Sequence, residues 1–155
     1  MDSPREIRDG EEFVLETLKT YLLENNINAD DLSIKQFPSG YSNLTYFLKS
    51  SSEEFVLRRP PFGAKSLQGG HDMFREYNVL KNLKSQFLKV PDVYLYCDNS
   101  EIIGAPFYLM ERVEGYIIRP NLQQKDSPGK EVIQNVSKSL VSTLVELHNV
   151  DIDQA

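Results

Sequence analysis

Apolar residues follow two different spacings along this chain, and the changes of spacing predict the order of its elements. Stretches in which apolar residues recur every three or four positions are typical of helices with one buried face. Short runs rich in aromatic and branched residues, bounded by turn residues, are typical of strands. The predicted helices are 11–25, 72–84 and 131–148, and the predicted strands are 32–37, 44–49, 55–59, 93–96 and 106–110.

The strands fall into two groups, and within each group short turns join the strands. Pro38-Ser39-Gly40 and the segment 50–53 are turn signals between the first three strands. This spacing predicts an α+β fold, in which a five-stranded antiparallel sheet has one helix inserted after its third strand. We expect the first ten residues, which are polar, to be loosely attached. In the last helix we expect a buried apolar stripe, formed by Ile133, Val136, Leu140, Leu144 and Leu147.

Composition narrows the class of protein. The chain has 155 residues, of which 40% are hydrophobic and 26% are charged. These values favour a globular domain with its own core. A net charge of −6 argues against non-specific binding to nucleic acid or to an anionic membrane. The single cysteine excludes an internal disulfide and a cysteine-based zinc site, and the N-terminus has no apolar run typical of a signal peptide. These features together predict a reducing, cytoplasmic location.

The third predicted strand carries an arginine in an unusual place. Alternation along the strand puts Arg58 on the same face as the apolar Val56. A guanidinium there needs an anion, unless the side chain simply reaches solvent. Glu76, in the next helix, shares a helix face with apolar residues and needs a cation. The two charges either pair across the loop that separates them, or remain independent and solvated.

Five segments, taken in order, resemble the N-terminal lobe of the aminoglycoside phosphotransferase and choline-kinase-like family, which has the protein-kinase fold. They are a turn at 37–46 containing Gly40, Ser42 and Asn43, the strand 55–58, the helix segment 74–80, the strand and hinge 107–115, and the helix 139–148. The strand lies where protein kinases have V-A-I-K, with arginine in place of the usual lysine. Arg58-Arg59-Pro60-Pro61 also resembles the branch of the family that is fused to acyl-CoA dehydrogenase domains. The resemblance divides the chain into an N-terminal helical extension at 1–30, a nucleotide-binding lobe at 31–113, and a hinge with the first helix of a second lobe at 114–155.

The resemblance implies a phosphate site at one end of the sheet. Backbone N–H groups of the turn from Gly40 to Asn43, together with the Ser42 and Asn43 side chains, would bind phosphate oxygens. Arg58 would neutralise the phosphates, and Glu76 would orient Arg58. Because arginine is planar and bidentate, its geometry on the phosphates need not match that of lysine.

The resemblance also implies a site for the base of the nucleotide. Met110 would lie at the back of the adenine pocket. The carbonyl of Glu111 and the N–H of Val113 would pair with the edge of the base. The expected cofactor is therefore ATP or another nucleoside triphosphate.

Two segments contain some of the letters of the family's catalytic loop, H-x-D-x-x-x-x-N, but neither fits it. In His71-Asp72 the aspartate comes one residue early, and between His148 and Asp151 it comes one residue late. The catalytic base and the Mg²⁺ ligands of the family lie on the second lobe. We therefore expect no catalytic residue and no metal ligand in this chain, which ends at Ala155. It is expected to be a fragment or a truncated relative that is inactive alone.

Three interpretations remain open. The first is the nucleotide-binding lobe of a kinase, with a small-molecule hydroxyl acceptor bound by the second lobe. The second is a non-catalytic module that binds a nucleotide or a partner, including a second copy of itself through an exposed last helix. The third is an α+β structural domain unrelated to the family.

Overall fold

The computed structural model describes residues 3–38, 42–63, 71–118 and 128–151. Its strands are β1 Ser33–Gln36, β2 Leu44–Lys49, β3 Glu54–Arg59, β4 Val93–Cys97 and β5 Phe107–Glu111. Its helices are α1 Leu15–Glu24, α2 Met73–Leu83, α3 Ser100–Ile103 and α4 Lys130–His148. The mixed α/β fold with a five-stranded antiparallel sheet is confirmed, and α2 follows the third strand as predicted.

The strands lie in the order β1-β2-β3-β5-β4, and every neighbouring pair is antiparallel. The chain between β4 and β5, where the spacing predicted no helix, contains the one-turn helix α3. The Asn99 side chain caps this helix by accepting a hydrogen bond from the N–H of Glu101. The helix ends at Gly104, whose φ of 83° lies in the left-handed region. Glycine adopts this region without the steric cost that other residues have there.

The hydrophobic core lies on one face of the sheet, between the strands and α1. Leu57 of β3 is fully buried there, and Leu18 and Leu22 of α1 belong to the same cluster. The adjacent Val56 and Arg58 point to the opposite face, as alternation predicts. Helix α1 therefore packs in the same core as the lobe, and the domain boundaries drawn from the sequence stay a prediction.

The expectation that the first ten residues are loosely attached is wrong for Arg5 and the residues around it. Arg5 and Gln36 exchange two backbone hydrogen bonds, each 2.8 Å long. The buried Gln36 side chain also accepts from the N–H of Arg8 and donates to the Glu11 carboxylate. The physical reason is that β1 is an edge strand, whose outer N–H and C=O groups can pair with another extended segment.

Helix α1 begins at Leu15, four residues later than the predicted start at Glu11. The Glu11 carbonyl accepts a hydrogen bond of 2.7 Å from the Tyr46 hydroxyl, and the Glu12 carboxylate accepts one from the N–H of Gly10. These contacts hold the segment in a non-helical conformation. Tertiary bonds thus override a sequence pattern that fits a helix.

The predicted buried stripe of α4 is also wrong for the part of the chain that the structure describes, because no residue of α4 is buried there. Leu140 is 69% exposed. The helix is joined to the loop after α2 by polar contacts, including hydrogen bonds from Lys89 to Thr143 and Glu146. The spacing predicted the helix and its apolar face correctly, but it could not show whether another element covers that face. None of the helices in the described ranges has both the length and the hydropathy needed to cross a bilayer.

Candidate functional site

The sheet face opposite the core carries the candidate site. In an antiparallel pair, residues directly opposite each other point to the same face. Arg58 of β3 lies opposite Thr45 of β2 and Tyr108 of β5. The strands therefore place a cation, a hydroxyl and a phenol side by side on one surface.

Helix α2 brings an acidic side chain to this surface. Asp72 caps the helix by accepting a hydrogen bond of 2.9 Å from the N–H of Arg75. The helix packs against β4 and β5, and the rings of Phe74 and Tyr77 contact that of Tyr96. This packing turns Glu76, one helical turn after the cap, toward the sheet.

The structure brings Arg58 and Glu76 together, with Nη2 of the guanidinium 3.6 Å from Oε2 of the carboxylate. Both side chains are partly buried, with 31% and 25% of their surface exposed, so water screens the ion pair only in part. Nε of Arg58 is buried and has no hydrogen-bond partner among the described residues. A buried donor without a partner is costly.

Two neutral groups also hold the Glu76 carboxylate. The Asn43 amide donates to Oε1 at 2.8 Å, and the Tyr108 hydroxyl donates to Oε2 at 3.0 Å. Nδ1 of His71 lies 2.7 Å from Oδ1 of Asn43. Because a carbonyl oxygen only accepts, the imidazole donates here and carries its proton on Nδ1.

A cavity of about 290 Å³ opens beside these groups. It is lined by Arg58, Arg75, Glu76, Val79, Leu80 and Tyr108. Two guanidinium groups and one carboxylate line this cavity, within a chain whose net charge is −6. These guanidinium groups are donors that an anionic ligand could contact, although the chain as a whole is acidic.

A second cavity, of about 390 Å³, lies on the same sheet face next to the hinge after β5. Its walls include Phe37, Thr45, Val56 and Val113, and Ser3 and Pro4 of the N-terminal segment complete it. This volume falls in the range of small-molecule pockets. Its walls are mainly apolar, which suits a flat ring.

The structure places the other predicted site residues as follows. Gly40 lies outside the described residues, and Ser42 is exposed shortly before β2. Asn43 is buried, and its side chain contacts Glu76 and His71. Met110 lies opposite Val56 in the sheet, so it belongs to the face that carries the second cavity.

The Glu111 side chain is used within the fold. Its carboxylate accepts a hydrogen bond of 3.0 Å from the N–H of Asp92 and lies 4.0 Å from Nζ of Lys84. Val113, in contrast, is 67% exposed at the mouth of the second cavity. The roles assigned to the backbone groups of these two residues stay predictions.

Comparison with known proteins places this geometry in a family. The family described as "Phosphotransferase enzyme family" matches residues 33–155, which include every strand and helices α2 to α4. The chain belongs to the phosphotransferase enzyme family.

Relatives of the chain carry the names of larger proteins. It is 38% identical over 152 residues to acyl-CoA dehydrogenase family member 11 of Rattus norvegicus, covering 95% of this chain and 19% of the relative. It is 33% identical over 140 residues to acyl-CoA dehydrogenase family member 10 of Mus musculus, covering 88% of this chain and 13% of the relative. The chain thus spans less than a fifth of the length of these relatives.

A solved structure shows the same fold. It is a protein from Ralstonia eutropha described as an aminoglycoside phosphotransferase, with a TM-score of 0.58 and 30% identity. The match covers 72% of this chain and 32% of the solved one. The described part of this phosphotransferase family member therefore has the mixed α/β fold of kinase-like phosphotransferases.

Two residues that matter in the site were missed from the sequence. Tyr108 had not been singled out, although alternation puts its hydroxyl on the same face as Met110 in an otherwise apolar strand. His71 had been set aside because it does not fit a catalytic loop, and the structure shows it as a neighbour of Asn43. Among the described residues, no group of three or more His, Cys, Asp and Glu side chains could hold a metal ion.

Proposed function

We propose that this chain is the nucleotide-binding lobe of an ATP-dependent phosphotransferase that acts on a small-molecule hydroxyl acceptor. The observation that carries the proposal is the pairing of Arg58 with Glu76 beside a cavity on the sheet, with 31% of the Arg58 side chain exposed. Membership of the phosphotransferase family supports the same reaction class.

In this proposal the phosphates are bound by Arg58, the cation of β3 on the face with the cavities. Arg58 is oriented by Glu76 at 3.6 Å and its side chain is 31% exposed, so it is proposed to neutralise phosphate oxygens. Backbone N–H groups between Gly40 and Asn43 are proposed to add further donors, with Ser42 beside them.

The base is proposed to bind in the second cavity. Val56 and Met110 lie on its sheet face, and Val113 lies at its mouth. The carbonyl of Glu111 and the N–H of Val113 are the proposed hydrogen-bonding groups for the edge of the base. When bound, ATP supplies the transferable phosphoryl group, while Mg²⁺ and the catalytic base are proposed to depend on a second lobe.

The names of the relatives suggest a setting for this lobe. Proteins named acyl-CoA dehydrogenase family member 10 and 11 contain a region similar to this chain within a much longer sequence. We propose the same setting here, with the lobe as one part of a larger protein in the cytoplasm, and the acceptor bound mainly outside residues 1–155. The free thiol of Cys97 is consistent with a reducing compartment.

The decisive experiment is a calorimetric titration of the chain with ATP, together with Arg58→Met and Lys49→Met variants. Lys49 lies at the other end of the sheet, where it pairs with Glu54 at 3.1 Å, so its variant removes the same charge away from the site. We expect the Arg58 variant to bind ATP at least about tenfold more weakly, because it loses charge-assisted hydrogen bonds, and the Lys49 variant to bind as the unmodified chain does. Absence of ATP binding by the unmodified chain, or equal weakening in both variants, would contradict the proposal.

One observation favours the alternative of a non-catalytic module, because apolar residues of α4 are exposed and could contact a partner. It predicts that a longer natural version of the protein, containing the region after α4, binds ATP without consuming it in the presence of alcohols, aminoglycosides or choline. ATP turnover with any of these acceptors would exclude it.

A further inference from the structure

Glu76 is held more closely by neutral groups than by its cation. The Asn43 amide and the Tyr108 hydroxyl lie 2.8 Å and 3.0 Å from its two carboxylate oxygens, whereas Nη2 of Arg58 lies 3.6 Å away. Distances up to about 3.2 Å are typical of hydrogen bonds from nitrogen, and longer ones are weak. The position of the carboxylate is therefore set by Asn43 and Tyr108.

Each of these two donors is itself fixed. Asn43 is 3% exposed, and His71 donates to its carbonyl oxygen, which determines which way the amide points. Tyr108 is 1% exposed and lies directly opposite Arg58 in the sheet. Burial raises the pKa of Tyr108, so its hydroxyl remains a neutral donor at physiological pH.

The consequence for Arg58 is that it does not need to satisfy Glu76 by hydrogen bonds. Both oxygens of the carboxylate already accept one bond each, and the guanidinium contributes mainly charge. Its Nε keeps no partner among the described residues. The exposed part of the Arg58 side chain thus stays available while the negative charge of Glu76 keeps it in place.

We propose that Tyr108 and Asn43 are positioning residues. They hold the Glu76 carboxylate so that Arg58 is oriented toward a phosphate and does not use its hydrogen-bond donors on Glu76. This inference rests on the proposed nucleotide binding and adds to it two residues that contact Glu76. Tyr108 is the sharper test, because a phenylalanine keeps its ring and removes only the hydroxyl.

The binding test compares Tyr108→Phe with Tyr46→Phe in the whole chain. Tyr46 is a matched control, since it is fully buried, its hydroxyl donates to the Glu11 carbonyl, and it packs in the core on the opposite face. We expect Tyr108→Phe to weaken ATP binding on the order of fivefold and Tyr46→Phe to leave it unchanged, as the lost bond to a charged group acts only at the site. Equal affinity in Tyr108→Phe and the unmodified chain would overturn the inference.

A double-mutant cycle separates positioning from direct contact with the nucleotide. If Tyr108 acts through Glu76, its phenylalanine variant should cause no further loss of affinity when Glu76 is already replaced by alanine. The same fivefold loss in both backgrounds would show that Tyr108 acts independently of Glu76, and the inference would be wrong.

A second measurement needs no nucleotide. In the ¹⁵N–¹H NMR spectrum of the free chain, the Nε–H signal of Arg58, assigned with Arg58→Lys, should shift or broaden in Tyr108→Phe and stay in place in Tyr46→Phe. An unchanged signal in Tyr108→Phe would overturn the positioning role. If the unmodified chain binds no ATP, the proposed function fails, and this signal still decides whether Tyr108 positions the pair.

Discussion

Arg58 and Arg59 are neighbours in β3, yet their side chains lie on opposite faces of the sheet and have different surroundings. Arg58 lies near Glu76 on the face with the cavities. Arg59 is fully buried on the other face, where Nη1 donates to the Ile103 carbonyl at 2.5 Å and Nε donates to the Pro60 carbonyl at 3.1 Å. Its guanidinium also lies over Phe62, 3.8 Å from the ring centroid. This distance is typical of a cation–π contact. One arginine thus serves the candidate site, and the other holds the end of β3 against α3.

This difference predicts unequal effects of the same substitution. Arg59→Met should lower the free energy of unfolding by about 1–3 kcal/mol, because two carbonyls lose their donor. Arg58→Met should lower it by less than about 1 kcal/mol, since Glu76 keeps its bonds from Asn43 and Tyr108. Urea unfolding followed by circular dichroism measures both. Equal stability of the Arg59 variant and the unmodified chain would show that these carbonyls find other partners.

The second cavity predicts a separation of base binding from phosphate binding. Val56 lines this cavity and lies two positions before Arg58 in β3. Val56→Phe should fill the space for the base and weaken ATP binding by about tenfold, which equals about 1.4 kcal/mol, while the affinity for inorganic tripolyphosphate stays the same. Calorimetric titration with the two ligands provides the comparison. Loss of tripolyphosphate binding in this variant would mean that the substitution distorts β3 as a whole.

Two leucines test whether α4 contributes to the stability of the described structure. Leu22 of α1 is fully buried in the core, and Leu140 of α4 is 69% exposed. Leu22→Ala should cost about 2–5 kcal/mol of unfolding free energy, because it removes buried methyl groups and leaves a cavity. Leu140→Ala should change that free energy by less than about 0.5 kcal/mol. A large loss of stability in Leu140→Ala would show that another surface covers α4 in solution, for example a second copy of the chain, which size-exclusion chromatography would detect.

Tyr46 predicts a loss of stability at alkaline pH. Burial raises the pKa of its hydroxyl from 10.0 to about 12. Because the folded pKa is the higher one, this stabilising contribution is complete below about pH 10 and is lost as the pH rises toward about 12. A shift of this size corresponds to a contribution on the order of 3 kcal/mol. The unfolding free energy of the unmodified chain should therefore fall more steeply across this range than that of Tyr46→Phe, as measured by urea unfolding at several pH values. Parallel curves would show that Tyr46 ionises equally in both states.

The sequence by itself determined the local structure and the family of the chain. Spacing of apolar residues located the five strands and helices α1, α2 and α4 within a few residues, because alternation and helical periodicity are local properties. The order of five motifs indicated the family that the comparison then showed. Alternation along β3 also placed Arg58 on the face of Val56, opposite to that of Leu57 and Arg59, before any partner was known.

Only the tertiary structure decided which groups meet. The contact of Tyr108 with Glu76 depends on the register between β3 and β5 and on the docking of α2, and neither can be deduced from local spacing. The same holds for Arg5, which pairs with the edge of β1, and for the exposed face of α4, whose apolar stripe looks the same whether or not another element covers it. Spacing shows which face of an element is apolar, whereas contacts between distant parts of the chain decide what that face meets.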